Sequence, residues 1–163
     1  RPDLLAPSSL DDGTPIVRAV AGDAGELLTL QRACWLAEQQ ANPGVHVPAV
    51  HESLDDVRAG LATWDTYVLR RSGRLVGAVR ARLDGAAWDV GRLMVAPDLQ
   101  GEGLGRRLLA HIEACAPEQA TSYQLFTGAG SARNQRMYRK AGYRLRPDIE
   151  APDGAVVLSK RRR

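Results

Sequence analysis

Aromatic residues are scarce: Phe, Trp and Tyr make up 5% of the 163 residues, with a single Phe. A platform that stacks nucleobases needs exposed rings, so this scarcity argues against a nucleic-acid-binding domain. Cysteine is rarer still. Cys34 and Cys115 lie far apart, without Cys-x-x-Cys or Cys/His ligand spacing. That speaks against a disulfide scaffold or a structural zinc site and fits a reducing compartment. No apolar run reaches the roughly 18 residues that a membrane helix needs, and no signal-peptide pattern is present. The chain begins at Arg1 rather than Met, so a removed leader stays open. What is present, 44% hydrophobic and 25% charged residues, is close to an ordinary globular composition. The expectation is one soluble, cytoplasmic domain without membrane or nucleic-acid partners or a bound metal.

The net charge of +3 has an identifiable source. Lys160, Arg161, Arg162 and Arg163 close the chain, and such runs are usually solvated ends. Residues 1–14, rich in Pro, Ser and Asp, read as a flexible arm, 15–160 as a single domain and 161–163 as a basic tail.

Hydrophobic period then divides the chain. Ile16 to Val20 reads as a strand. Asp23 opens a helix whose Leu27, Leu28, Leu30, Cys34 and Trp35 recur at helical spacing, and Asn42-Pro43-Gly44 ends it. Gly44 to His51 reads as an irregular loop, and Ser53 as the start of a second helix. Thr66–Arg71 and Arg74–Leu83 alternate as strands joined by a Ser72-Gly73 hairpin turn. Trp88–Val95 is a further strand, and Gly103–Cys115 an amphipathic helix. Tyr123–Thr127, Tyr143–Leu145 and Ala155–Ser159 complete the strands, with a helix over Arg133–Ala141. Hairpins mixed with crossovers predict an α/β (α+β) fold, a mixed sheet flanked by helices.

The most informative stretch runs from Arg92 to Leu109. Here a strand enters the glycine-rich turn Gln100-Gly101-Glu102-Gly103-Leu104-Gly105-Arg106, and the turn opens a helix. Glycines allow positive φ and close approach of backbone to ligand. The free N–H groups of a first helical turn, at the positive end of its dipole, favour an anion. Arg106 and Arg107 strengthen that preference. A P-loop is excluded because the turn has no lysine, and the dinucleotide fingerprint fails because Arg106 stands where its third glycine belongs.

The spacing Gln100-x-x-Gly103-x-Gly105 resembles the [RQ]xxGx[GA] signature of the GNAT superfamily of N-acetyltransferases. A second segment, Asn134-x-x-x-Tyr138-x-x-x-Gly142-Tyr143, resembles that family's NxxxYxxxG[FY] ending. With matching element order, the likeness extends from about Pro15 to Ser159. It implies a mostly antiparallel sheet of about seven strands, splayed into a V-shaped slot for acetyl-coenzyme A. It further implies that the main chain of Leu93, Met94 and Val95 meets the pantetheine arm. Gln100, Gly101, Glu102, Gly103, Leu104, Gly105 and Arg106 would wrap the pyrophosphate, and Asn134 and Tyr138 would approach the cofactor and its thioester sulfur. Members of the family often dimerise, although the sequence itself points to no interface.

The expected reaction is direct attack of a primary amine on the acetyl thioester in a ternary complex. The alternative is a module that binds acyl-coenzyme A without catalysis. A lysine-like amine, with a pKa near 10.4, is almost wholly protonated at neutral pH, so the site needs a base, a desolvated pocket or a less basic acceptor. Tyr138 is the candidate acid. Asp89 is the candidate base, because strict alternation along the strand would place it on the face of Val95. Trp35 and Glu38 are candidates for the acceptor wall. The acceptor itself is not legible, since no transferable code resides in such helices and loops.

Overall fold

A computed structural model describes residues 14–163, so all but the last residue of the expected N-terminal arm lies outside the described residues. Seven strands form one sheet: β1 (Ile16–Arg18), β2 (Asp65–Arg71), β3 (Arg74–Asp84), β4 (Ala87–Val95), β5 (Ser122–Gly128), β6 (Arg144–Leu145) and β7 (Ala155–Arg161). Their order is β1-β2-β3-β4-β5-β7-β6. Every pairing is antiparallel except β4 with β5. Helices α1 (Ala24–Ala41), α2 (Pro48–His51), α3 (Leu54–Thr63), α4 (Leu104–Ala114) and α5 (Ala132–Lys140) flank it. This is the expected mixed, mostly antiparallel architecture. No helix among the described residues is long and apolar enough to cross a membrane.

Alternation on β3 assigns the two faces. Gly77 faces α4, where an added Cβ would lie 2.8 Å from Leu108 Cδ1, so only glycine lets the helix sit this close. Leu104, Leu108, Leu109 and Ile112 of α4 are fully buried there, each contributing roughly 1.5–3 kcal/mol of hydrophobic stabilisation. Trp88 joins the same side, its indole donating to the Ile112 carbonyl at 2.8 Å. On the opposite side, Ala78 and Met94 pack with Leu27 of α1 and Val57 of α3.

Local chemistry explains most boundaries. Ser72 and Gly73 take φ values of 51° and 80°, the backbone of a tight hairpin. Ser53 caps α3 reciprocally: its Oγ accepts from Asp56 N at 3.1 Å, and its own N donates to Asp56 Oδ2 at 2.8 Å. The expected irregular loop before it contains one helical turn, α2, which Pro48 opens with its fixed φ.

Two expectations are corrected. The basic end is not a free tail. Lys160 and Arg161 belong to β7, and the Lys160 ammonium donates to Glu113 at 2.7 Å and to the Ala141 carbonyl at 2.9 Å. Arg162 donates to the carbonyls of Ala116, Pro117 and Ala120, which stitches β7 to the turn after α4. Second, strict alternation fails on β4. Ala78 pairs with Met94 and Arg80 with Gly91, three steps on β4 against two on β3. The extra residue is a bulge, marked by Arg92 at φ 48°. Past the bulge the faces exchange. Asp89 lies opposite Arg82, on the α1 and α3 side, whereas Val95 lies opposite Gly77, on the α4 side.

Candidate active site

The central strands supply an opening. β4 pairs with β5 only from Ala87 to Asp89, against Ser122 to Gln124. Beyond that point β4 continues to Val95 and β5 to Gly128 without pairing, so the two diverge into a V. The bulge at Arg92 falls just past the last pair, where added twist carries β4 away.

At the open end β4 runs into the glycine turn. Ala96 N donates to the Val76 carbonyl at 2.8 Å and anchors the turn to β3. Gly101 and Gly103 adopt φ 84° and 82°, which side chains with a Cβ rarely take. Gly103 is the N-cap of α4, with ψ 8° and no side-chain cap. The bond from Arg107 N to the Gly103 carbonyl begins the helical ladder. The amides of Leu104, Gly105 and Arg106 therefore have no helical acceptor. Gly105 admits α5: its Cβ would lie 3.3 Å from Met137 Sδ.

These features border a cleft of about 410 Å³. It brings together Leu93, Val95, Gln100, Gly101, Gly103, Leu104, Gly105, Arg106, Asn134 and Tyr138, most of the residues singled out from sequence. Met94 is not among its lining residues; next to Val95, it points by ordinary alternation to the opposite side, where it is 4% exposed. Glu102 also turns away and meets Arg71 at 3.3 Å. Arg133, Arg136, Met137 and Lys140 of α5 line the cleft and were missed. Their spacing of three and four residues from one another was the available signal. Arg133, Arg136 and Lys140, together with Arg106, make the rim cationic.

Tyr138 sits deep in this cleft, 8% exposed. Burial, and next the charge of Glu38, push its phenol well above the ordinary value, so it remains protonated. Glu38 reaches across from α1, accepting from Asn134 Nδ2 at 2.6 Å and from Ser131 Oγ at 2.5 Å. One turn on, the buried Asn42 accepts from Gly130 N at 2.9 Å. The loop before α5 approaches so closely that a Cβ on Gly130 would lie 2.5 Å from the Ala41 carbonyl. Earlier on the same helix, Cys34 Sγ lies 3.2 Å from the Val95 carbonyl. Helix α1 thus touches both arms of the V. Burial pushes the Cys34 thiol up to about 11, so it is no nucleophile at neutral pH.

Asp89 lies at the last β4–β5 pair, the apex of the V, on the α1 and α3 side. Burial holds its carboxyl above the usual range, with Asp84 adding to the shift and Arg82 and Arg80 opposing it. Trp35 stacks near Arg92, with the guanidinium 5.7 Å from the ring centre.

Comparison with known proteins places this geometry. A family model described as an acetyltransferase (GNAT) domain matches residues 62–145. The chain is 39% identical over 79 residues to an IAA acetyltransferase of Azospirillum brasilense, covering 47% of this chain and 52% of that protein. It is 25% identical over 134 residues to the UPF0157 protein YqkA of Bacillus subtilis, covering 82% of this chain and 38% of that one. The chain thus spans about half or less of the length of these relatives. Among solved structures, PaiA N-acetyltransferase of Thermoplasma acidophilum in complex with coenzyme A superposes with a TM-score of 0.77 at 12% identity, covering 91% of this chain and 98% of that one. A splayed β4–β5 pair, a glycine-capped helix at its mouth and a family match over half the sequence lead to one assignment: the chain belongs to the GNAT acetyltransferase domain family.

Proposed function

We propose that this chain moves an acetyl group from acetyl-coenzyme A to a primary amine by direct attack in a ternary complex. The observation that carries the proposal is the cleft itself, where the uncapped amides of Leu104, Gly105 and Arg106 and a cationic rim adjoin the unpaired half of β4. The residues fit the donor. Glycines at positive φ leave its diphosphate room, and unspent N–H groups and guanidinium donors complement its charge. The main chain of Leu93 and Val95 is exposed to the gap as an edge for the amide-bearing arm, and Asn134 and Tyr138 close the deep end. When bound, the donor supplies an acyl thioester, whose carbonyl is open to attack and whose sulfur can leave as thiolate.

The chain's own groups do the rest. Tyr138, held protonated by burial and by Glu38, donates a hydrogen bond toward the departing sulfur. A phenol this weakly acidic stabilises negative charge more than it surrenders a proton, so it accelerates without being indispensable. Glu38 is already committed to Ser131 and Asn134, so it positions rather than catalyses. Asp89 takes the amine proton through water: it stands at the apex, and its raised pKa matches a base better than that of a free carboxylate does. Amide N–H from Val95 polarises the carbonyl, as an oxyanion hole does.

The test is release of free thiol from acetyl-coenzyme A across an amine panel, with calorimetry of the donor alone. Turnover with any amine supports the proposal. Donor binding without turnover would favour the sensing module, and no donor binding would end both.

A further inference from the structure

On the α1 and α3 side of the sheet, three arginines converge with unequal partners. Arg92, on the bulge, forms a two-pronged pair with Glu52 at 2.8 and 2.9 Å, and Gln31 donates to the same carboxylate at 2.9 Å. Glu52 is thereby satisfied. Arg80 and Arg82 instead stack on Trp64, each guanidinium carbon 4.1 Å from the ring centre. Stacking engages the flat face of a guanidinium and leaves its in-plane donors unspent. Arg80 Nε is buried and has no hydrogen-bond partner. Desolvation, then the charge of Arg92, lowers the Arg80 pKa to about 10, with Arg82 adding to the shift and the nearby Glu52 and Asp89 opposing it without a hydrogen bond to Arg80. The side chain nonetheless stays charged at neutral pH, and a half-buried cation with unspent donors gains from an anion that meets them. Arg80 and Arg92 line a small cavity of about 30 Å³, together with Gln31 and Glu52. One register step along β3, Arg82 faces Asp89, the proposed base.

From this juxtaposition we infer that the amine acceptor carries a carboxylate a few bonds from its nitrogen, held by Arg80 while the nitrogen is presented toward Asp89. The inference rests on the acyl-transfer reading above. A planar carboxylate matches the two-donor edge of a fixed guanidinium. Acceptors without the carboxylate leave the Arg80 donors unspent, so the site discriminates by withheld compensation as much as by attraction.

Thiol release is compared for free L-amino acids and their carboxamides, using the 163-residue chain and its Arg80→Gln and Arg80→Lys variants. The expected result is a KM for the acid about 10- to 100-fold below that for the amide. Arg80→Gln should raise the acid's KM by a similar factor, leave the amide's KM and the acetyl-coenzyme A KM unchanged, and be partly rescued by Arg80→Lys. Equal KM values for acid and amide in the unaltered chain, or equal loss for both in Arg80→Gln, would overturn the inference while leaving acyl transfer intact. If no amine on the panel releases thiol, the acyl-transfer reading fails first. The site is then read by calorimetry with N-acetyl amino acids against their methyl esters in the presence of coenzyme A. Saturable heat from the acids alone supports the anion site, and heat from neither or from both overturns it.

Discussion

Gly103→Asp isolates the claim on which the donor site depends. Gly103 holds φ 82° and ψ 8°, a left-handed conformation that costs a residue with a Cβ roughly 1–2 kcal/mol and aspartate less than most. That is small beside the 5–15 kcal/mol typical of a folded domain, so the variant should fold. Binding is another matter. A carboxylate held about 5 Å from one phosphate charge, at an effective dielectric of about 20–40, repels it by roughly 2–3 kcal/mol. The affinity loss for coenzyme A should therefore be about 30- to 200-fold. Gly103→Ala serves as the control: it carries the backbone strain without the charge and should lose less than about tenfold in affinity. Calorimetry at two salt concentrations reads both, since repulsion between exposed charges weakens as salt rises. Unchanged affinity in Gly103→Asp, with folding confirmed, would refute the assignment of the turn.

Tyr138→Phe should lower kcat about 10- to 100-fold with the acetyl-coenzyme A KM nearly constant, and equal kcat would remove its hydrogen bond to the leaving sulfur. Gly130→Ala drives a methyl against the Ala41 carbonyl at 2.5 Å and should destabilise by about 1–3 kcal/mol, a fall in Tm of several degrees. An unshifted melting curve would show that α1 does not clamp the loop before α5. Asp89 titrates above its ordinary range in the folded chain, so between the unfolded and folded values the folded state binds more proton. Its contribution is then least unfavourable in acid and worsens as pH rises through the folded value. Asp89→Asn should accordingly raise Tm at pH 7 and lose that advantage below the ordinary carboxylate range. A gain that grew on acidification would contradict the burial argument. In thiol-release assays the same variant should lower kcat, since it can no longer accept a proton.

Local patterns carried the glycine turn and the α5 motif because both depend on spacing within one element and on residues without alternatives. Gly101 and Gly103 need positive φ, Gly105 needs close approach of α5, and Asn134 and Tyr138 share a helix face, all of it written in consecutive positions. The rim residues Arg133, Arg136 and Lys140 carry a comparable signal, three and four residues apart along one helix.

The sequence by itself determined the order of strands and helices, the turn at the mouth of α4 and the family, since periodicity, glycine and capping act over a few residues. Tertiary structure alone decided the rest. One extra residue at Arg92 reversed the face of Asp89 relative to Val95, an event that alternation cannot anticipate because a bulge leaves no obligatory residue type. Folding made Glu38 the partner of Asn134 and Ser131, more than ninety positions away, and turned the terminal basic run into a strand docked on carbonyls. The charge cluster of Arg80, Arg82 and Arg92 exists only where β3, β4 and α3 meet. Long-range pairing is set by which surfaces exclude water together, and that information belongs to the whole chain rather than to any segment of it.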